Sequence, residues 1–205
     1  GGGNAGEIAS RTTVSEMANY ITKNPVENAT NKYAIVNYFQ DSIDQINKKI
    51  FEMARRYEQN KGMATTLALL YAKGGMAYIG NVGDSRVYLY RDNELVQLTE
   101  DHTYVNTLVK AGILTEEQAE CHNKKNVITK AVGADTTVEP DFFQVNIMKD
   151  DVFILCTDGL YDEVSKEEMV EIHYWIEEIN GYKSKKYVID LDKILYWETF
   201  AKLGN

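Results

Sequence analysis

Apolar residues recur every three or four positions in two long segments near the start of the chain. In the first segment, from Glu7 to Thr22, the apolar positions are Ile8, Val14, Met17 and Ile21. In the second, from about Tyr33 to Tyr57, they are Val36, Phe39, Ile43, Ile46, Ile50 and Met53. This spacing places the apolar side chains on one face of a helix. We therefore predict two amphipathic helices that pack against a core.

After Gly62 the pattern changes to short apolar segments rich in Tyr, Val, Leu and Ile. TTLALLYAK, GMAYIGNV, SRVYLYR and ELVQL are separated by turn residues and predict an antiparallel meander. HTYVNTLVKAG and TEEQAEC predict two short helices, and FFQVNI and VFILCTD predict two more strands. A capping box of Ser165 and Glu168 predicts a further helix through Met169, Ile172 and Ile176. Helices followed by many strands indicate an α+β domain whose sheet the two long helices cover.

The composition is typical of a globular domain, with 205 residues of which 44% are hydrophobic and 26% are charged. We therefore treat residues 1–205 as a single domain. The net charge of −9 argues against nucleic acid as a partner, because phosphate binding needs a basic surface. No apolar segment reaches the roughly 20 residues that span a bilayer, so no membrane partner is predicted. Cys121 and Cys156 form no C-x-x-C pair, which favours a cytoplasmic location and predicts neither a zinc site nor a disulfide.

Two aspartates follow or precede apolar strands at positions that suit a hard metal ion. Asp84 lies in NVGDSRVY and Asp158 lies in FILCTDGL, each next to a glycine. A strand end holds a carboxylate in place, and Mg²⁺ and Mn²⁺ prefer oxygen ligands. An aspartate beside glycine is also a common turn residue, so the spacing alone leaves a purely structural role open.

The chain begins with GGGNAGEIAS, in which Gly1 to Gly6 match the G-x-G-x-x-G pattern of dinucleotide-binding sites. That pattern binds a pyrophosphate only where a strand precedes the glycines and a helix follows them. No strand precedes Gly1, and no alternation of strands and helices follows. A nucleotide-binding oxidoreductase is therefore disfavoured.

Five ordered segments carry a resemblance to a known family: GGGNAGEIAS, GMATTLALLY, IGNVGDSRVYLYRDNELVQLTEDHT, KNVITKAVG and DVFILCTDGLYDEV. Together they resemble the bacterial branch of the metal-dependent Ser/Thr protein phosphatases, the protein phosphatase 2C type. The family-like core is residues 1–172, whereas residues 173–205 diverge. The resemblance implies an α/β/β/α sandwich of two packed, mainly antiparallel sheets flanked by helix pairs, here without the family's first strands. Gly1 and Gly2 then look like the end of the family's D-G-x-G-G turn.

The same resemblance implies an activity and a site. Family members hydrolyse phosphoserine and phosphothreonine on proteins with a water molecule activated by two or more Mg²⁺ or Mn²⁺ ions, without a protein nucleophile. By this likeness Asp158 is a ligand of the core metals, and Asp84 holds a further ion together with Asp158. The segment from Asp101 to about Asn126 corresponds to the family's flap, in which His102 receives no catalytic role. The expected partners are phosphorylated proteins, substrates of a Ser/Thr kinase.

Two family motifs are missing from the sequence. The Asp and first Gly of D-G-x-G-G would lie upstream of Gly1, and in place of a closing G-x-D-N turn the chain has Asp190 and Asp192, to which no role is transferred. Because two adjacent dications need several anionic ligands, we expect this chain to hold core metal poorly. Open sheet edges would also permit self-association. The alternative function is an inactive phosphatase-like domain that acts as a binding or regulatory module.

Two other phosphatase chemistries are disfavoured by the local sequence. A cysteine phosphatase needs an arginine six positions after the cysteine, but Cys156 is followed there by Asp162 and Cys121 by Val127. Cys156 is instead predicted to be a buried strand residue. YVIDLDKIL resembles the D-x-D strand of aspartyl-phosphate enzymes, yet too few residues follow Asp192 to build such a domain.

Overall fold

The structure, a computed structural model, describes residues 5–170 apart from the side chain of Glu27. The helices are α1 (Gly6–Lys23), α2 (Lys32–Arg56), α3 (Tyr104–Lys110), α4 (Glu116–Glu120) and α5 (Asp158–Tyr161), with short 3₁₀ turns at Val26–Asn28 and Glu58–Asn60. The strands are β1 (Leu67–Lys73), β2 (Met76–Val82), β3 (Arg86–Arg91), β4 (Glu94–Gln97), β5 (Asp141–Asn146) and β6 (Val152–Cys156). The predicted α+β class is confirmed.

The two long helices begin and end close to where the apolar spacing predicts them. The Asn31 side chain caps α2 by accepting a hydrogen bond from the Ala34 N–H at 3.0 Å. Most of the predicted α2 stripe is buried, but Val36 is only partly buried and Ile35 lies in the core instead. Ile35 is four residues before Phe39, so it continues the buried face by one more turn.

The strands form two antiparallel sheets rather than one meander. The strand orders are β1-β2-β5 and β4-β3-β6. The predicted meander is therefore wrong at one point, because β2 and β3 are consecutive in the chain but lie in different sheets. The chain crosses from one sheet to the other in the β2–β3 loop (residues 83–85), where Gly83 adopts a φ of 98°. The pair of sheets that the family resemblance implies is present.

Two hydrophobic cores separate three layers. One core lies between the long helices and the first sheet, and it includes Phe39 and Ile43 of α2 with Tyr71 of β1. The other lies between the two sheets, where Leu70 of β1 packs in the same cluster as Val87 of β3. Leu70 and Tyr71 face opposite cores because successive strand residues point to opposite sides. The layers correspond to the first three of the predicted α/β/β/α sandwich.

The capping box predicted before the last family-like helix is present. The Ser165 N–H donates to Glu168 Oε2 at 2.8 Å, and the Glu168 N–H donates to Ser165 Oγ at 3.2 Å. Helical residues follow at 166–170, with Met169 buried. The other predicted positions of this helix, Ile172 and Ile176, lie outside the described residues, as do the segment 173–205 and Gly1–Gly3. Within residues 5–170, no helix combines the length and the apolar character that crossing a bilayer requires.

Asn47 of α2 anchors the loop that leads from the α4 region to β5. Its side chain is 1% exposed. Its Oδ1 accepts from the Gly133 N–H at 2.7 Å, and its Nδ2 donates to the Asp135 carbonyl at 3.0 Å. In the same loop Val132 pairs with Thr65, just before β1. The loop is therefore held to both the helix layer and the first sheet.

A partly buried ion pair lies at the end of β3 that is remote from the β2–β3 loop. Arg91, the last residue of β3, donates from Nε and Nη2 to the two carboxylate oxygens of Asp151 at 2.8 and 2.7 Å. Asp151 is 1% exposed at its side chain and also accepts from the Met148 N–H at 2.7 Å. The bonds from Arg91 hold the pKa of Asp151 below its ordinary value. The pair ties β3 to the connection between β5 and β6.

Replacing Asn47 with alanine should destabilise the fold by about 1–3 kcal/mol, because the Gly133 N–H loses its buried partner. The measurement is the free energy of unfolding from urea denaturation. Lys48→Ala is the matched control, since Lys48 is the next residue of α2 and is exposed. Equal stability of Asn47→Ala and Lys48→Ala would contradict the anchoring role.

The Arg91–Asp151 pair should make stability depend on pH. Since the pKa of Asp151 is lower in the folded state, its stabilisation is fully present above the ordinary aspartate pKa of about 3.9 and is lost as the pH falls through the lower folded value. Asp151→Asn should therefore lower the urea midpoint at pH 7, and its deficit relative to the native chain should shrink below pH ~4.

The exposed neighbour Asp150 provides the control for this charge change. Asp150→Asn should leave the midpoint nearly unchanged at both pH values, because an exposed ion pair contributes little. A deficit of Asp151→Asn that is the same at pH 7 and in acid would rule out the proposed ionic origin.

Candidate metal centre

The pairing of β3 with β6 brings Asp84 and Asp158 to the same end of the second sheet. The last residues paired in this antiparallel register are Arg86 and Cys156. Asp84 lies two residues before Arg86, and Asp158 lies two residues after Cys156 at the start of α5. Both predicted metal-site residues are therefore placed at adjacent strand ends.

The Asp84 carboxylate is buried next to like charge. Its residue is 8% exposed, whereas Asp158 is exposed. Burial raises the pKa of Asp84, and the negative charges of Asp158 and then Asp101 raise it further. Among the ion pairs of residues 5–170, none includes Asp84 or Asp158. A cation between the two carboxylates would remove this electrostatic cost.

Two carboxylates are donors of the kind that a hard divalent cation prefers. Mg²⁺ is commonly bound by one or two carboxylates and keeps several water ligands. The Gly159 N–H donates to Asp158 Oδ1 at 2.9 Å and orients that carboxylate. No group of three or more His, Cys, Asp and Glu side chains that could hold a metal occurs within the described part of the chain. Two adjacent cations would therefore need acidic ligands in addition to these residues.

Arg86 and Tyr161 lie beside the two aspartates, and neither was assigned a role from the sequence. Arg86 donates to Asp101 from Nη2 at 2.6 Å and from Nε at 3.0 Å, and from Nη1 to Tyr88 Oη at 3.0 Å. Burial acts to lower the pKa of Arg86, but the hydrogen bonds to Asp101 raise it above its ordinary value. Its guanidinium lies 3.6 Å from the ring centroid of Tyr161. The sequence signal for Arg86 is its place in the segment NVGDSRVY, two residues after Asp84.

His102 holds the β2–β3 loop through both backbone groups of Gly83. Its Nδ1 accepts from the Gly83 N–H at 3.0 Å, and its own backbone N–H donates to the Gly83 carbonyl at 3.0 Å. Because Nδ1 is an acceptor, the ring proton lies on Nε2, which is 3.0 Å from Asp141 Oδ2. Burial acts to raise the pKa of Asp141, but His102 and Lys130 bring it below its ordinary value. These contacts give His102 a structural role.

The segment predicted as a flap, from Asp101 to about Asn126, contains α3 and α4. Its first two residues contact the site, since Asp101 pairs with Arg86 and His102 contacts Gly83. The segment is closed at its base by a bridge between Thr103 and Ile128. Both of its attachments are therefore next to the β2–β3 loop.

The two cysteines are free and differ in exposure. Cys156 is buried at the end of β6, as predicted, and burial raises the pKa of its thiol to about 11. The thiol is therefore protonated at neutral pH and is a poor nucleophile. Cys121 follows α4 and is exposed.

The conformation of the β2–β3 loop requires glycine at position 83. With a φ of 98°, a side chain there is strained, and a Cβ atom would overlap Cγ2 of Thr66. Next to this contact, the Thr66 and Ser85 hydroxyl oxygens are hydrogen-bonded at 2.7 Å. The start of β1 therefore packs directly against the backbone that carries Asp84.

Comparisons with known proteins agree on one family. The family model described as Protein phosphatase 2C matches residues 1–195. Protein phosphatase PhpP of Streptococcus pneumoniae is 36% identical over 172 residues, which cover 84% of this chain and 68% of PhpP. The structure of the S. agalactiae serine/threonine phosphatase aligns with a TM-score of 0.77 and 32% identity, covering 94% of this chain and 74% of that chain.

A third relative was solved with metal bound. It is the catalytic domain of the serine threonine protein phosphatase PstP in complex with 2 manganese ions. The alignment has a TM-score of 0.69 and 32% identity, and it covers 83% of this chain and 69% of that chain.

Gly83→Ala should destabilise the fold more than Gly75→Ala. Gly75 also has a positive φ, of 76°, but no atom lies within 4 Å of the position that a Cβ would take there. Gly75→Ala should therefore cost only the backbone term of about 1–2 kcal/mol, whereas Gly83→Ala must also displace Thr66. Urea denaturation of both variants measures this difference. Equal losses in the free energy of unfolding would show that the Thr66 contact adds nothing to the cost of Gly83→Ala.

Proposed function

The chain belongs to the protein phosphatase 2C family, and we propose that Asp84 and Asp158 bind Mg²⁺ or Mn²⁺ in its phosphatase site. The resemblance in the five sequence motifs is confirmed. With it, the predicted activity of Ser/Thr protein dephosphorylation is confirmed at the level of the family. Which side chains hold the metal in this chain is the further step proposed here.

One observation carries the ligand assignment. Asp84 is buried just before β3, Asp158 lies just after the adjacent strand β6, and burial together with the charge of Asp158 raises the pKa of Asp84. A protein keeps two carboxylates in such an arrangement at a cost in stability unless a cation offsets their repulsion. The PstP catalytic domain, at 32% identity, was solved with two manganese ions, which supports a metal of the same class here.

The bound metal and the side chains have different roles in the proposed reaction. Bound divalent cations supply the positive charge that activates a water molecule and stabilises charge on the phosphoryl oxygens. Asp84 and Asp158 hold that charge in place. Arg86 is committed to Asp101 and Tyr88, so it stabilises the site rather than binding phosphate. The buried, protonated Cys156 thiol is not a nucleophile in this scheme.

The proposed substrates are phosphoserine and phosphothreonine residues of proteins modified by a Ser/Thr kinase. Asp158 is exposed and Asp84 is buried, so a phosphate that approaches from solvent meets the Asp158 side of the site first. The cytoplasmic location, the number of metal ions and self-association through outer strands stay predictions.

A second candidate is the phosphatase-like binding module. It is favoured by the finding that residues 5–170 hold no cluster of three or more acidic, His or Cys metal ligands. Such a module would bind phosphorylated proteins without hydrolysing the ester. The two candidates share the fold and differ in turnover.

Asp158→Asn should reduce Mn²⁺-dependent hydrolysis of a phosphothreonine peptide by at least about 100-fold, because the site loses an anionic ligand. Phosphate release at several Mn²⁺ concentrations is the measurement. Glu163→Gln is the matched control, since it removes one exposed negative charge two residues beyond the end of α5. It should retain native activity.

The same assay separates the candidates. If the native chain is active and Asp158→Asn is equally active, the ligand assignment is refuted. A native chain that binds Mn²⁺ and the phosphopeptide without releasing phosphate would favour the binding module.

A further inference from the structure

Tyr161 connects the two segments that carry the proposed metal ligands. It is the last residue of α5, and Asp158 is the first. Its hydroxyl group donates to the backbone carbonyl oxygen of Asp84 at 2.9 Å. The α5 turn therefore begins with the Asp158 carboxylate. It ends with a side chain that holds the backbone of Asp84.

The Tyr161 ring is held in place from one face. The guanidinium of Arg86 lies 3.6 Å from the ring centroid, a distance typical of a cation–π contact. Arg86 is itself oriented by Asp101 and by the Tyr88 hydroxyl. The position of the Tyr161 hydroxyl is thus determined by a fixed arginine and not only by the short helix.

The two aspartates need such a connection because strand pairing ends before it reaches them. The last pair of the β3–β6 ladder is Arg86 with Cys156. Asp84 and Asp158 lie two residues beyond this pair, and like charge acts to separate them. The Tyr161 hydrogen bond to the Asp84 carbonyl oxygen joins the two segments at Asp84 itself.

We propose that Tyr161 is a positioning residue that sets the separation of the Asp84 and Asp158 carboxylates for a divalent cation. This inference rests on the metal site proposed above. Tyr161 acts through the Asp84 backbone and through the geometry of α5, and it contacts neither the cation nor the substrate. Its contribution is to metal affinity, because a preset spacing removes the cost of bringing two like charges together when the cation binds.

The test is Tyr161→Phe, which keeps the ring on Arg86 and removes only the hydroxyl group. The dissociation constant for Mn²⁺, measured without substrate by calorimetry or by electron paramagnetic resonance of free Mn²⁺, should rise about 5- to 10-fold, the loss expected for one hydrogen bond. The urea midpoint is measured in parallel without metal to show that the variant is folded.

Tyr38→Phe is the matched control. It also removes one tyrosine hydroxyl group that donates to a backbone carbonyl oxygen, that of Asn24 at 2.6 Å, but this bond joins α2 to the residue after α1 in the helix layer. Tyr38→Phe should lower stability and leave the Mn²⁺ dissociation constant within about twofold of the native value. A purely structural role of Tyr161 would make the two variants alike, since each loses one hydroxyl-to-carbonyl hydrogen bond.

Four outcomes overturn the proposal or separate it from the metal site. If Tyr161→Phe binds Mn²⁺ as tightly as the native chain, or if Tyr38→Phe weakens binding equally, the positioning role is wrong. If Asp158→Asn leaves Mn²⁺ affinity unchanged, the metal site itself is wrong. In the double variant Tyr161→Phe/Asp158→Asn we expect no loss beyond that of Asp158→Asn, because both changes act on one cation; fully additive losses would contradict the proposal.

Discussion

The antiparallel pairing of β3 with β6 is the constraint on which the site depends. These strands are separated in the chain by β4, the flap segment and β5, yet they lie side by side in the second sheet. Their last pair, Arg86 with Cys156, lies two residues from Asp84 and two residues from Asp158. A slip of one residue would turn every side chain of the moved strand to the other face, so the register is maintained by the apolar core between the sheets.

The pairing alone leaves Asp84 and Asp158 beyond the last paired residues of their strands. Contacts from other segments hold the backbone there. His102 bonds both backbone groups of Gly83, and the Ser85 hydroxyl bonds Thr66 at the start of β1. Arg86 supplies positive charge nearby but is neutralised by Asp101. The site is therefore rigid in its backbone and still anionic, a combination that suits a cation from solution.

The segment predicted as a flap and the proposed metal site share their supports. Asp101 and His102 begin the segment, and each contacts the strand end or loop that carries Asp84. The same residues thus hold the start of a surface segment and the backbone of a proposed metal ligand. A change in either residue would disturb both, which makes them poor choices for testing the role of the flap by itself.

The sequence by itself determined the local elements and the identity of the chemistry. Helical spacing located α1 and α2, and turn residues separated the strands, because these signals depend on neighbouring residues only. The ordered motifs identified the family and pointed to Asp84 and Asp158.

Only the tertiary structure decided that β2 and β3 lie in different sheets and that Ile35, not Val36, faces the core. It also decided which residues surround the aspartates, namely Arg86, His102 and Tyr161. These outcomes depend on contacts between residues far apart in the chain, and nothing in the spacing of one segment records which distant segment will pack against it.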